Sequence, residues 1–448
     1  MEAIDRLRLA EVSLLGLSVG DAFGETFFGP EDVIKDRIHK RKLPEGKWLF
    51  TDDTVMSIGI YNMLYKYGEI SQDQLAREFA DNYLLDDCRG YGGTAHGILR
   101  DLAAGKHWKE VSSAVFDGMG SMGNGAAMRS GLIGAYFHEQ VEKVIEQATL
   151  AAEVTHFHQE AIAGAIAVAL AACICTRFGS SGKKVSAEQF FSFIVENMPE
   201  SDVKYKIKKA ATLPGNYDIR TIVSALGNGA RLTAQDTVPF ALWCAAHHTD
   251  DFEEAIWTAV SGLGDRDTLA AIVGSIVVLT AGQFSIPLQW AIKTEQFDDS
   301  PFFKESGPKL HLPYYGASGK NSKVGRQWER NKKKIINYQP ATLRTFKVLC
   351  YEWIDNLCFT IDPRECLDNP DEYIETAKEL FLKAGWYGDG AIELMWIPPF
   401  MFDGYATGDF TVGVTVWHVK QNEDGISWIL HPKKMFDNLT KRYDDVED

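Results

Sequence analysis

The sequence predicts an all-α first domain followed by a small α+β domain, and three observations carry that prediction. From the start to about Gly282, amphipathic or apolar stretches separated by short Gly-containing turns follow one another. Sustained alternation of apolar and polar residues, the signal of a half-buried strand, is nearly absent there. Residues 283–340 are weakly patterned, and strand-like segments begin only after about residue 341. A chain of 448 residues also exceeds the usual limit of a single core. The boundaries read as 1–285 for the helical domain, 286–340 for a linker or domain extension, and 341–448 for the α+β domain.

In the first domain, helices are expected at 74–84, 94–104, 139–153, 160–176, 239–248 and 252–261. The longest apolar run, residues 161–175, makes about one helix of fifteen residues. A membrane span needs roughly 20, so a buried helix packed through its small side chains is expected, with no membrane partner. Between Lys320 and Lys334 stand seven Lys or Arg residues against one acid, Glu329. That run reads as a solvated linker or helix end, or as a patch for a phosphate-bearing ligand. In the last domain, Pro370-Asp371-Glu372 opens a helix over 370–384. Strands are expected at 391–397, 410–419 and 426–430, with Asn422-Glu423-Asp424-Gly425 as the turn before the last.

Composition is that of a soluble globular enzyme, 45% hydrophobic and 24% charged. The net charge of −16 argues against non-specific binding of nucleic acid or anionic membrane by the whole surface. The first residues carry acids among apolar ones and lack a signal-peptide layout. The seven cysteines form no framework, and Cys173 and Cys175 point to different faces of one helix. A reducing, cytoplasmic location follows as an expectation.

Two acidic clusters carry the chemistry. Thr51-Asp52-Asp53-Thr54 precedes one apolar helix, and Asp265-Arg266-Asp267-Thr268 precedes another. Helix capping explains part of each, because Thr and Asp accept the free N–H groups of a first turn. A cap needs one oxygen, yet each cluster offers two carboxylates and a hydroxyl. If both helix mouths converge, the like charges either raise one another's pKa or are neutralised by cations. Oxygen ligands without His or Cys favour Mg2+, Mn2+ or Ca2+ over zinc.

Gly16, Gly20 and Gly24 lie four apart on a predicted helix, and close helix packing accounts for Gly16 and Gly20. Asp21, in so apolar a context, needs a capping amide or a metal-bound water as partner. Gly120-Ser121-Met122-Gly123-Asn124-Gly125-Ala126-Ala127-Met128-Arg129 reads as a Gly-rich loop leading into a helix, a place where backbone N–H groups can approach a phosphate. His156, in Thr155-His156-Phe157-His158, is either a ligand-facing donor or a satisfied structural histidine. His247 and His248 end a helix and read as charge complements to its C-terminus.

In this order the motifs resemble the ADP-ribosylglycohydrolase family over roughly residues 9–283: Gly20-Asp21-Ala22-Phe23-Gly24, Thr51 to Thr54, Gly123 to Arg129, Thr155-His156, Val238-Pro239-Phe240-Ala241-Leu242, and Gly264 to Thr268. The resemblance implies an all-α fold with two Mg2+ ions, or Mn2+, at the base of an ADP-ribose cleft. By position it assigns Thr51, Asp52, Asp53, Asp265, Asp267 and Thr268 as metal ligands. It assigns Ser121, Met122, Gly123 and Asn124 to a diphosphate and ribose loop, His156 to ligand contact, and Gly92 and Gly93 to the cleft wall. Three positions depart from the family pattern. Leu263 and Arg266 stand where many members have Gly and Thr, and Phe28 stands where members often carry Glu. Glu25, on the same loop as Phe28, is the substitute for that acid.

The expected reaction is metal-dependent removal of ADP-ribose from a modified protein, nucleic acid or small molecule, by water attack at the anomeric carbon of the distal ribose. Asp53 or Glu25 would accept the water's proton. Two rivals follow: an ADP-ribose or nucleotide-binding protein without turnover, and a metal-dependent hydrolase of another nucleotide. The motifs report the ADP-ribose side only, so the acceptor, the oligomeric state and the role of the last domain stay open.

Overall fold

The computed structural model describes residues 3–295, 297, 300–302, 351–352 and 357–358. The chain divides into two compact units, Met1–Leu310 and His311–Asp448. In the second unit, Tyr351–Glu352 and Leu357–Cys358 pair as a two-residue antiparallel ladder, with Tyr351 opposite Cys358. The basic run at 320–334, the helix at 370–384 and the strands at 391–397, 410–419 and 426–430 lie outside the described residues.

The first unit is helical, and among its described residues the only β pairing is two isolated bridges, Trp48 with Thr294 and Gly123 with Thr233. In chain order the helices are α1 (Ala3–Glu25), α2 (Glu31–His39), α3 (Asp52–Tyr67), α4 (Gln72–Leu85), α5 (Gly93–Ala103), α6 (Trp108–Ala114), α7 (Gly131–Tyr136) and α8 (Val141–Glu153). There follow α9 (Gln159–Gly179), α10 (Ala187–Asn197), α11 (Asp202–Ala210), α12 (Ile219–Leu226), α13 (Ala234–His247), α14 (Phe252–Ser261), α15 (Arg266–Ala281) and α16 (Leu288–Lys293).

The apolar α9 is the core helix that its composition predicts. It is long and apolar enough to cross a membrane, but 89% of its most apolar window is buried inside the protein. It packs on α7, α8, α13 and α15. The helix at 252–261 appears as expected, whereas α13 begins five residues before Pro239. That proline sits inside the helix rather than opening it. His247 and His248 do close α13, but burial lowers both of their pKa values. A pKa lowered by burial weakens the charge complement that either histidine can offer the helix end.

The longest packing seam runs between α1 and α15. A Cβ on Gly16, Gly20 or Gly24 would overlap backbone atoms of Gly274, Ala270 or Arg266. The three glycines therefore let two helix backbones touch, and this contact brings the mouth of α15 up to the end of α1. Gly20→Val is expected to destabilise the fold by about 3 kcal/mol, the upper part of the range for overpacking. Urea unfolding reads the loss, and an unchanged midpoint would contradict the backbone contact.

Residues 286–295 extend the first unit. Trp290 is buried and stacks on Phe23 with ring centroids 4.0 Å apart, beside Trp48 and Trp257. The Trp48 N–H donates to the Lys293 carbonyl and the Glu295 N–H to the Trp48 carbonyl, each at 2.7 Å. This strap holds the segment that enters α3.

Candidate active site

The start of α3 is capped twice over. Thr51 has extended backbone, and its Oγ1 accepts the Asp53 N–H. Asp21, delivered by α1, accepts the backbone N–H groups of Thr51 (2.9 Å) and Thr54 (3.1 Å) and the hydroxyls of both. Asp21 thus finds the capping amides its context demanded. Capping consumes neither Asp52 nor Asp53, so their carboxylates are spare for other work. The Asp52 N–H donates to the Arg89 carbonyl at 2.7 Å. Arg89 in turn donates to Asp86, the Phe50 carbonyl and Glu295, which braces the loop over residues 86–92.

At the other mouth, Asp265 holds the N-cap position of α15 but makes no capping bond. Its carboxylate accepts from Asn124 Nδ2 at 2.6 Å, and the same amide donates to Thr237 Oγ1. The two clusters meet directly, because the Thr268 hydroxyl donates to Asp53 Oδ2 at 3.4 Å. Asp52, Asp53, Asp265, Asp267 and Thr268 all line one cavity of about 320 Å3. Thr51 stands just behind that lining, its hydroxyl turned to Asp21 and Asp53.

The electrostatics follow from the crowding. Burial first, and then the charges of neighbouring carboxylates, push Asp52, Asp53 and Asp265 well above the ordinary carboxylate range. Burial likewise raises Asp267, and it raises Asp21 to about 7. Oδ1 of Asp53 and Oδ1 of Asp267 are buried with no hydrogen-bond partner. Among the described residues no three His, Cys, Asp or Glu side chains have the arrangement of a finished metal cage. The donor set nevertheless fits a hard divalent cation: it is all oxygen, over-supplied with negative charge, and holds two orphaned carboxylate oxygens.

Another part of the lining is the loop around Ser121, Met122, Gly123 and Asn124, all of which line the cavity. It is stitched to the 232–234 segment by Asn124 N–H to the Leu232 carbonyl and Ala234 N–H to the Met122 carbonyl. The loop leads first into a single 3-10 turn, Asn124–Ala126, and the α-helix that its sequence suggests starts only at Gly131. Besides the mouths of α3 and α15, the N-terminus of α5 also borders the cavity, with Gly92 as its N-cap and Gly93 as its first residue. His156 also lines the cavity, and its ring explains two glycines, since a Cβ on Gly123 or Gly125 would press against it.

The sequence profile of the ADP-ribosylglycohydrolase family matches residues 3–306. The chain belongs to that family. ADP-ribosylhydrolase ARH3 of Xenopus tropicalis is 29% identical over 342 residues, spanning 67% of this chain and 94% of its own length. ADP-ribosyl-[dinitrogen reductase] glycohydrolase of Rhodospirillum rubrum is 27% identical over 296 residues, covering 63% and 89% of the two chains. A solved chain described as part of an ADP-ribosylglycohydrolase-related protein complex aligns at 23% identity and a TM-score of 0.47, over 65% of this chain and 93% of its own.

The departures from the family pattern now have physical settings. Leu263, where many members carry Gly, has φ of 59°, the left-handed backbone that glycine adopts freely. Arg266 does not line the cavity. Its Nη1 donates to the Leu263 carbonyl and its guanidinium lies over the Phe28 ring, 4.6 Å from the centroid. Of the three substituted positions, Arg266 therefore touches both of the others. Glu25 ends α1 and is absent from the cavity lining, but burial and the charge of Asp267 raise its pKa to about 7. Sequence reasoning missed Arg231, Leu232 and Thr233, which line the cavity from an irregular segment with no motif, Leu232 at a φ of 56°. It also left Arg129 and Thr155 without roles.

Proposed function

We propose that this chain is a divalent-metal-dependent hydrolase that removes ADP-ribose from a modified target by water attack at the anomeric carbon of the distal ribose. The observation that carries the reading is the convergence of two carboxylate-rich helix mouths on one cavity, with an orphaned oxygen on each. Two Mg2+ or Mn2+ ions, held by Asp52, Asp53, Asp265, Asp267, Thr268 and Thr51, would supply positive charge that orients ribose hydroxyls and acidifies water.

The chain's own residues divide the remaining work. Gly92 and Gly93 place the N-terminal amides of α5 beside the cavity, where the diphosphate is favoured. Ser121 to Asn124 form another part of the wall, and Asn124 also holds Asp265 in place. Asp53 lines the cavity and is the proposed proton acceptor, because reach comes before pKa in choosing a base. Glu25, with its pKa near 7, is the second candidate. An oxocarbenium-like transition state gathers positive charge near these acids, as in other glycoside hydrolyses.

Phe28, engaged with Arg266 where members often carry Glu, favours one second reading: binding of ADP-ribose without turnover. A panel of ADP-ribosylated arginine, serine and nucleic-acid substrates, together with O-acetyl-ADP-ribose, separates the readings. The expected result is release of free ADP-ribose from at least one of them, abolished by EDTA and restored by Mg2+. Binding of ADP-ribose without release would establish the second reading. Phosphate release from ordinary nucleotides would point to a different nucleotide hydrolase.

A further inference from the structure

Arg129 is fully buried, and its partners are neutral groups. Its Nη2 donates to Thr155 Oγ1 at 2.7 Å and to the Ala151 carbonyl at 3.1 Å, and its guanidinium lies 4.6 Å from the centroid of the Phe79 ring. On its other side, Thr155 Oγ1 stands 2.7 Å from His156 Nδ1. A guanidinium has only donors, so Thr155 Oγ1 must accept from Arg129. The Thr155 proton then has one recorded acceptor, His156 Nδ1. If Nδ1 carried the ring proton instead, the Thr155 hydroxyl would be buried with its hydrogen unbonded, which folded proteins avoid. Nδ1 is therefore an acceptor, and the neutral ring carries its proton on Nε2. Nε2 faces Gly123 and Gly125 on the cavity wall and makes no hydrogen bond among the described residues. Burial, and then the charge of Arg129, lowers the ring pKa to about 3, so no second proton disturbs this arrangement near neutrality.

We propose that Arg129 and Thr155 are positioning residues that lock His156 as its Nε2–H tautomer, giving the cavity one permanent hydrogen-bond donor for an oxygen of the ligand. The identity of that ligand as ADP-ribose rests on the function proposed above; the tautomer does not.

The test uses the full chain with 15N-labelled histidine. Long-range proton–nitrogen spectra report the tautomer, with His156 assigned by the signals lost in His156→Gln, and calorimetry reports ADP-ribose affinity. The expected wild-type result is an unprotonated Nδ1 and a protonated Nε2 from about pH 5 to 8. Thr155→Val is expected to release the tautomer into a mixture and raise the ADP-ribose Kd about tenfold, as for one lost hydrogen bond. Thr155→Ser, which keeps the hydroxyl, is expected to restore both. A protonated Nδ1 in the wild type overturns the inference, as does Thr155→Val with tautomer and Kd unchanged. Should Thr155→Val fail to fold, the wild-type spectrum decides alone. If the wild type does not bind ADP-ribose, the proposed function fails while the tautomer still decides this inference.

Discussion

Asp267→Asn is expected to cut hydrolytic turnover by about 10^3-fold or more while the protein remains folded. The size follows from the several kcal/mol a bound cation contributes to transition-state charge, at about 1.4 kcal/mol per tenfold in rate. The retained fold follows from the environment of the side chain. Asp267 Oδ1 has no hydrogen-bond partner to lose. The replacement is isosteric, and it removes one charge from a crowd in which burial already raises the pKa of Asp52, Asp53, Asp265 and Asp267. In EDTA the variant should therefore melt no earlier than the wild type, and its new amide can donate to a neighbouring carboxylate. Initial rates at saturating Mg2+ and thermal melts in EDTA give the two readings. Full activity would sink the metal site, and a collapsed fold would mean that Asp267 is structural.

What the sequence discloses and what it withholds differ for physical reasons. A run such as residues 161–175 can be read directly, because burying fifteen apolar residues leaves a helix few alternatives. Pro239 misleads, because proline is most at home in a first turn, yet here α13 begins five residues earlier. The acidic clusters are legible singly, but their meeting is not: Asp53 and Thr268 lie 215 positions apart in the chain. What joins them is the backbone contact of α1 and α15, of which the sequence shows only the glycine stripe on one side. The same limit hides the pair of Arg129 and Thr155, separated by 26 positions and brought together by a buried turn. It hides the contact of Arg266 with Phe28 as well. Of the residues that family order singles out, Gly92, Gly93, Ser121 to Asn124 and His156 all reach the cavity lining. Glu25 and Thr51 are the members of the expected set that stay outside the lining.

In EDTA, the acidic cluster is expected to make the protein less stable as pH rises from about 4 through 7 and above, and Mg2+ should reverse the loss. The sign follows from the direction of the shifts. Unfolded carboxylates release their protons near pH 4. In the folded chain Asp21 and Glu25 hold theirs to about 7, and Asp52, Asp53 and Asp265 are raised as well, by burial first. Above pH 4 the folded state therefore binds more protons than the unfolded state, and stability declines with pH. The contribution is complete below the unfolded value and lost as pH passes the folded ones. His138, His156, His247 and His248 act in the opposite sense, since burial lowers their pKa values. Their stability is present above the ordinary histidine value near 6.5 and lost as pH falls. They act alike with and without metal, so the difference between Mg2+ and EDTA melting curves isolates the acids. Cations bind the ionised folded cluster in place of protons, adding about 2.7 kcal/mol at a hundredfold excess over Kd. The two melting curves should therefore meet near pH 4 and separate as pH rises. Curves that coincide across the whole range would mean that Mg2+ does not replace the protons of these buried acids, and the cavity would not be a divalent-cation site.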